Sequence, residues 1–188
     1  MIGYEPLAVT LALAYVVFAI KEKRIAWILA AASAALYLRI FFEVGLLMEA
    51  SLQLFYILMA IYGWIAWGRD STNTQLPIQR FSPQLHLKLL LLVLIIGTLF
   101  GLVLGRFTHA NLPIADSITT IAALLATWMV ARKVLENWLW WIGIDLVSIV
   151  LYLNRGLDLT ALLFAGYVVL AIAGWLSWRQ QYRAQLQC

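Results

Sequence analysis

Apolar runs dominate the chain, and each closes at a charged or proline-containing stretch. The pattern predicts seven helices, near 5–20, 25–42, 46–67, 86–105, 115–131, 136–153 and 157–178. Several of these runs reach the roughly 20 residues that span a bilayer. All four prolines, Pro6, Pro77, Pro83 and Pro113, fall in connections or at helix starts, so no span is expected to kink at proline. The longest connection, GRDSTNTQLPIQRFSPQ, is polar and reads as a loop.

The basic residues then divide by side. Lys21, Lys23, Arg24, Arg69, Arg80, Lys88, Arg132, Lys133, Arg179 and Arg183 fall on one side, and Arg39, Arg106 and Arg155 on the other. These account for all thirteen Lys and Arg residues of the chain. The positive-inside rule places the N-terminus outside and the C-terminus in the cytoplasm. Composition agrees with the class: 64% of residues are hydrophobic and 12% charged, where a soluble domain averages about 45–50% and about 25%. The expectation is an all-α integral membrane protein. The net charge of +4 sits at helix ends and reads as topology, so no nucleic acid partner is expected. Cys188 is the sole cysteine, which excludes an internal disulfide or a Cys-based metal site. The opening MIGYEPLAVT has no basic n-region and does not read as a cleaved signal peptide.

A shift of 111 residues lays the chain on itself without gaps. Trp27 falls on Trp138, Gly45 on Gly156, Tyr56 on Tyr167, and GWIAW from Gly63 on GWLSW from Gly174. Apolar matches are cheap in such a chain, but Trp, Tyr and Gly matched at one offset are not. The repeat covers helices 1–3 and 5–7 and leaves helix 4 as a connector. Equivalent points lie four crossings apart, so the two repeats run parallel, a 3+1+3 architecture of seven transmembrane helices. Repeats of this kind belong to transporters, with a substrate site near the midplane. Residues 1–188 read as a single transmembrane transporter domain: repeat A about 5–67, connecting loop and helix 4 about 68–105, repeat B about 115–178, and a cytoplasmic tail 179–188.

Polar residues inside the spans locate a candidate path. At about 100° per residue, Asn137, Trp141, Asp145, Ser148 and Tyr152 fall within an arc of about 80° on helix 6. Intramembrane ionisable groups cost at least ~2.5–3.5 kcal/mol and face a bundle interior or a water-filled cavity. Two readings stand side by side: a substrate path, or a hydrogen-bonded seam in which Asp145 bridges helices. The matching positions of helix 2 are Ala26, Ala30, Ala34, Tyr37 and Phe41, none of which carries charge in the membrane. An asymmetric solute needs only one polar wall, whereas a structural seam would be expected in both halves. Helix 3 aligns Glu49, Gln53, Tyr56, Ala60, Trp64 and Trp67 on one face, and helix 7 copies it as Thr160, Phe164, Tyr167, Ala171, Trp175 and Trp178. The four Trp at the ends of these faces read as interfacial anchors. Helix 5 adds Asp116, Thr120 and Thr127, with Asp116 expected to cap the helix start after Pro113. Gly97, Gly101 and Gly105 in helix 4 form a close-packing ridge, against a neighbouring helix or another subunit.

No Gly-rich phosphate loop, metal-ligand cluster or Walker motif is present, so no cofactor and no ATP hydrolysis are expected. His86 and His109 sit near helix ends on opposite sides, and no acid–base pair for intramembrane catalysis is apparent. Trp141 is placed to stack on a planar ring, and Trp is the best cation–π partner. With Asp145 or Glu49 supplying charge, and Asn137 and Gln53 supplying amide hydrogen bonds, the ligand class is a small heteroaromatic cation with hydroxyls.

The stretch ENWLWWIGIDLVSIVLYLNRGLDLTALLFAGYVVLAIAGWLSWRQ resembles the C-terminal half of the PnuC family of bacterial vitamin transporters. The shared elements are Asn137 with Trp141, Asp145 with Ser148, the LY…G…TALL stretch and the closing Gly-Trp…Trp-Arg. YGWIAWGRD, from Tyr62 to Asp70, is similar to the family's first half. The resemblance implies a 3+1+3 fold related to SWEET sugar transporters, a homotrimer in the bacterial inner membrane, and vitamin uptake by facilitated diffusion, followed by trapping through cytoplasmic phosphorylation. It implies nicotinamide riboside as substrate, with thiamine or riboflavin as the alternative, and ligand contacts at Asn137 and Trp141. A SWEET-like sugar transporter and a membrane-embedded enzyme acting on a lipid are the less favoured readings; spans without internal proline count against the first.

Overall fold

The computed structural model describes residues 4–43, 47–68, 76–107, 112–154 and 156–187. Gly45, Arg69, Asp70, His109, Arg155 and Cys188, all used in the reading above, lie outside these residues. The described residues form seven α-helices: α1 (Glu5–Ile20), α2 (Ala26–Glu43), α3 (Leu47–Gly68), α4 (Pro83–Phe107), α5 (Pro113–Ala131), α6 (Asn137–Asn154) and α7 (Asp158–Gln185). By length and composition α2, α3, α4, α5 and α7 can each cross a membrane. The apolar α1 has 16 residues, about 24 Å at 1.5 Å per residue. In α6, Asn137, Asp145 and Asn154 lower the mean hydropathy.

Most helix bounds fall within about two residues of the sequence pattern, with two informative exceptions. α4 starts at Pro83, ahead of its apolar run, because the Ser82 hydroxyl accepts the Leu85 amide at 3.2 Å and Pro83 suits a first-turn position. α7 continues to Gln185, seven residues past its expected end. The apolar pattern marks where the chain leaves the apolar phase, whereas RQQYRAQ contains no Gly or Pro to stop the helix, and Arg183 suits its last turn. Pro113 takes the first position of α5, so Asp116 lies inside the first turn and not at the cap expected of it.

The chain divides into two compact units. The first holds α1, α2 and α3 together with Val130–Lys133. Within it α2 packs on both α1 and α3, and the buried Ser33 hydroxyl donates to the Ala8 carbonyl at 2.9 Å, bonding α2 to α1. The second holds α4 to α7, with α6 packed on α7.

The internal repeat is visible in the backbone. The bounds of α2 and α6 differ by 111 at both ends, as do the starts of α3 and α7. The turn after α1 recurs after α5: Glu22 N–H donates to Ala19 and Lys133 N–H to Val130, while Lys23 donates to Phe18 and Val134 to Met129. Glu22 and Lys133 themselves adopt left-handed φ values of 52° and 50°. Trp27 meets Trp67 edge-on at 5.3 Å, and Trp138 meets Trp178 edge-on at 5.4 Å. Each pair closes over a glycine, Gly63 or Gly174, where any Cβ would overlap the Trp27 or Trp138 indole. Trp67 and Trp178 are therefore core residues, not the interfacial anchors their helix-end positions suggested.

The Gly97–Gly105 ridge packs within the chain. A Cβ at Gly97 would strike the Ile118 backbone, and one at Gly101 the Ile114 backbone, so the ridge seats α4 on α5. The core of the second unit forms here from Val93, Ala122, Ala123, Ala126 and Ile144, with Trp140 and Trp141 against it.

Candidate functional site

The candidate residues divide between the two units, with Glu49, Gln53 and Tyr56 in the first and Thr127, Asn137, Trp141, Asp145, Ser148 and Tyr152 in the second. The α6 stripe is largely inaccessible to water. Asn137 is 0% exposed, Asp145 4% and Ser148 6%, while Trp141 and Tyr152 are partly buried.

Asn137 opens α6 and is half satisfied. Its Nδ2 donates to the Val134 carbonyl at 2.6 Å, and its buried Oδ1 has no partner among the described residues. A buried carbonyl oxygen without a donor costs about 1–3 kcal/mol, so this atom is an acceptor in want of an N–H or O–H. Asp145, two turns further along α6, has no hydrogen-bond or ion-pair partner among the described residues. A bridge from Asp145 to a neighbouring helix therefore finds no bonding partner there. A carboxylate in this position is costly unless a cation joins it. Between the two, Trp141 leans on the second unit's core and leaves part of its surface free.

The remaining candidates differ in character. Tyr152 stacks on Phe164 of α7 at 5.0 Å, and Phe164 meets Tyr167 edge-on at 5.8 Å, an aromatic file at the far end of the stripe. The Thr127 hydroxyl donates to Ala123 in its own helix at 2.8 Å, so its proton is already committed. Gln53 and Tyr56 are half-buried in α3, and Glu49, in its first turn, is exposed.

Two polar clusters escaped the sequence reading. In the first unit Lys133 Nζ donates to Glu22 Oε2 at 2.6 Å, with side chains only 2% and 9% exposed, and lies 5.0 Å from the centre of the Trp67 ring. Glu22 and Lys133 are equivalent under the 111-residue shift and opposite in charge, a relation that does not by itself place them in contact. In the second unit Glu136 accepts Arg80 Nε at 2.7 Å and the Phe81 amide at 3.3 Å. That hydrogen bond, and then the charge of Glu136, hold the Arg80 guanidinium above its ordinary pKa. His86 Nδ1 accepts from Trp140 Nε1 at 3.2 Å, which leaves the ring proton on Nε2, 3.6 Å from Glu136. No sequence spacing links Arg80, His86 and Glu136. They are brought together by the Leu135 amide donating to Gln79 at 2.8 Å.

Among the described residues no group of His, Cys, Asp or Glu is placed to hold a metal ion. The chemistry on offer is recognition: a ring surface, a lone acceptor and an unpaired acid along one helix.

The chain is similar to known proteins over most of its length. A family model described as nicotinamide mononucleotide transporter matches residues 3–180. Nicotinamide riboside transporter PnuC of Escherichia coli K12 is 24% identical over 165 residues, covering 74% of this chain and 69% of that protein, and its Shigella flexneri counterpart matches equally. The crystal structure of the vitamin B3 transporter PnuC superposes with a TM-score of 0.72 at 19% identity, over 94% of this chain and 80% of that one. The last comparison speaks for the fold, an all-helical membrane protein. Because the family model matches nearly the whole chain, the chain belongs to the nicotinamide mononucleotide transporter family.

Proposed function

We propose that the protein carries nicotinamide riboside into the cell by facilitated diffusion, with phosphorylation in the cytoplasm trapping the vitamin. Family membership supports the transport class, and relatives named as nicotinamide riboside transporters support the substrate. The observation that carries the reading in this chain is the α6 stripe. Among the described residues Asn137 Oδ1 lacks a donor and Asp145 lacks a cation, while Trp141 presents a ring between them. A pyridinium nucleoside supplies all three complements: a carboxamide N–H, a positive charge and a flat ring. Ser148 and Tyr152 continue the path along α6. Glu49, Gln53, Tyr56 and Thr127 stay in the proposed set on their sequence pattern.

The proposed architecture is two parallel three-helix repeats joined by α4, forming one transporter domain with the N-terminus outside and the C-terminus in the cytoplasm. The charge asymmetry supports this orientation. The proposed setting is a homotrimer in the bacterial inner membrane.

Thermal unfolding of the purified protein with nicotinamide riboside, thiamine, riboflavin or glucose tests the substrate. Nicotinamide riboside is expected to stabilise most, and Trp141→Ala to lose that shift while its own unfolding stays cooperative. Thiamine as the sole stabiliser moves the assignment to the other heteroaromatic cation. Stabilisation by none, or wild-type affinity in Trp141→Ala, contradicts the proposed site.

A further inference from the structure

A recessed surface lies within the second unit, a groove of about 600 Å³ between α4, α5 and α6. Its walls are apolar along most of their length, including Leu90, Val93, Leu139 and Val147, and polar at one end, where Arg80, His86 and Glu136 meet. From Glu136 to Val147 the α6 wall rises about 16 Å at 1.5 Å per residue. That is close to half of a bilayer's roughly 30 Å hydrocarbon core. The groove therefore has the dimensions of one leaflet, with its polar end at headgroup depth.

Gly143 sits midway along the α6 wall, and a Cβ built there meets nothing within 4 Å. Glycine inside a helix costs about 1 kcal/mol relative to alanine. At Gly63, Gly97, Gly101 and Gly174 close packing inside the chain requires the missing side chain. At Gly143 the described residues supply no such neighbour, so the space suits something outside them.

The polar end specifies the charge. Arg80 is half exposed and spends Nε on Glu136. This fixes the plane of the guanidinium and leaves its terminal Nη groups without a partner among the described residues. That fork is suited to bidentate binding of a phosphate. Arg80 also lies on the side with ten of the thirteen basic residues, the side of the leaflet that carries anionic lipid.

The geometry points to a seat for an anionic glycerophospholipid, its phosphate on Arg80 and one acyl chain along the groove over Gly143. Thermal unfolding of the delipidated full chain with added phosphatidylglycerol or phosphatidylcholine, and native mass spectrometry of the same samples, test it. Phosphatidylglycerol is expected to raise the midpoint by several degrees more than phosphatidylcholine and to remain bound at one per chain. Gly143→Trp, which fills the groove, is expected to weaken that retention at least tenfold, and Gly143→Leu serves if the larger side chain prevents folding. The Arg80→Gln/Glu136→Gln pair, which orphans no buried carboxylate, is expected to make the two lipids equivalent. Equal effects of the two lipids on the wild type, or unchanged retention in the Gly143 variants, overturn the proposal. A change of oligomeric mass in those variants with lipid retention intact also overturns it, and assigns the groove to contact between copies. The readout is lipid, so its failure leaves the transport reading standing.

Discussion

Asp145 is a buried acid to which the rest of the described chain offers no cation and no hydrogen bond. Its presence on a stripe with Asn137 and Trp141 was legible from helical periodicity alone, because α6 is regular from Asn137 to Asn154. Its lack of a partner was not legible, since a seam and a site have the same spacing and differ only in what faces them. Asn137 shows the same limit. Its sequence position suggested a ligand contact, yet one half of its amide belongs to the turn at Val134 and only Oδ1 is free. The proposal makes a specific demand of Asp145→Asn. The change is isosteric and breaks no bond within the described chain, so the fold should persist. A charged hydrogen bond contributes about 1.5–3 kcal/mol, so affinity for nicotinamide riboside should fall by roughly tenfold to a hundredfold. Isothermal titration calorimetry checks this, and an unchanged affinity would remove Asp145 from the site.

At the scale of elements, the repeat was the most legible feature, and the structure gives its physical content. The matched Trp and Gly residues at the 111-residue offset are two copies of one packing device, an edge-to-face indole pair closed over a glycine. The placement of Trp67 and Trp178 at helix ends argued for anchoring at the interface, and burial overruled it, because position along a helix does not say which way an indole turns. The Glu22–Lys133 pair was missed for the opposite reason. Each residue reads as an ordinary turn charge, and only tertiary packing brings Glu22 and Lys133 to 2.6 Å beneath the Trp67 ring. Lys133→Ala leaves a buried carboxylate without its cation, which costs about 3–5 kcal/mol. A clear drop in the thermal midpoint is expected, and substantial recovery in the Glu22→Gln/Lys133→Met double variant, measured by unfolding in detergent. No recovery would mean that the lysine serves Trp67 rather than Glu22.

At the scale of the whole molecule, the hydropathy pattern carried the class and the number of helices, while the tail of α7 beyond Trp178 was hidden because leaving the apolar phase and ending a helix are different events. Orientation rests on the placement of basic residues, and the lone Cys188 is a ready reporter of it. In intact right-side-out cells a membrane-impermeant maleimide should fail to label Cys188, and should label it after permeabilisation. Labelling of intact cells would invert the topology and, with it, the leaflet assigned to the Arg80 groove. The central claim, passive carriage of a heteroaromatic vitamin, is tested most directly by uptake of labelled nicotinamide riboside into liposomes holding the purified protein, with no ATP and no ion gradient. The account predicts saturable uptake that stops when inside and outside concentrations are equal. Uptake no faster than into empty liposomes, or entry only when an ion gradient is imposed, would contradict it.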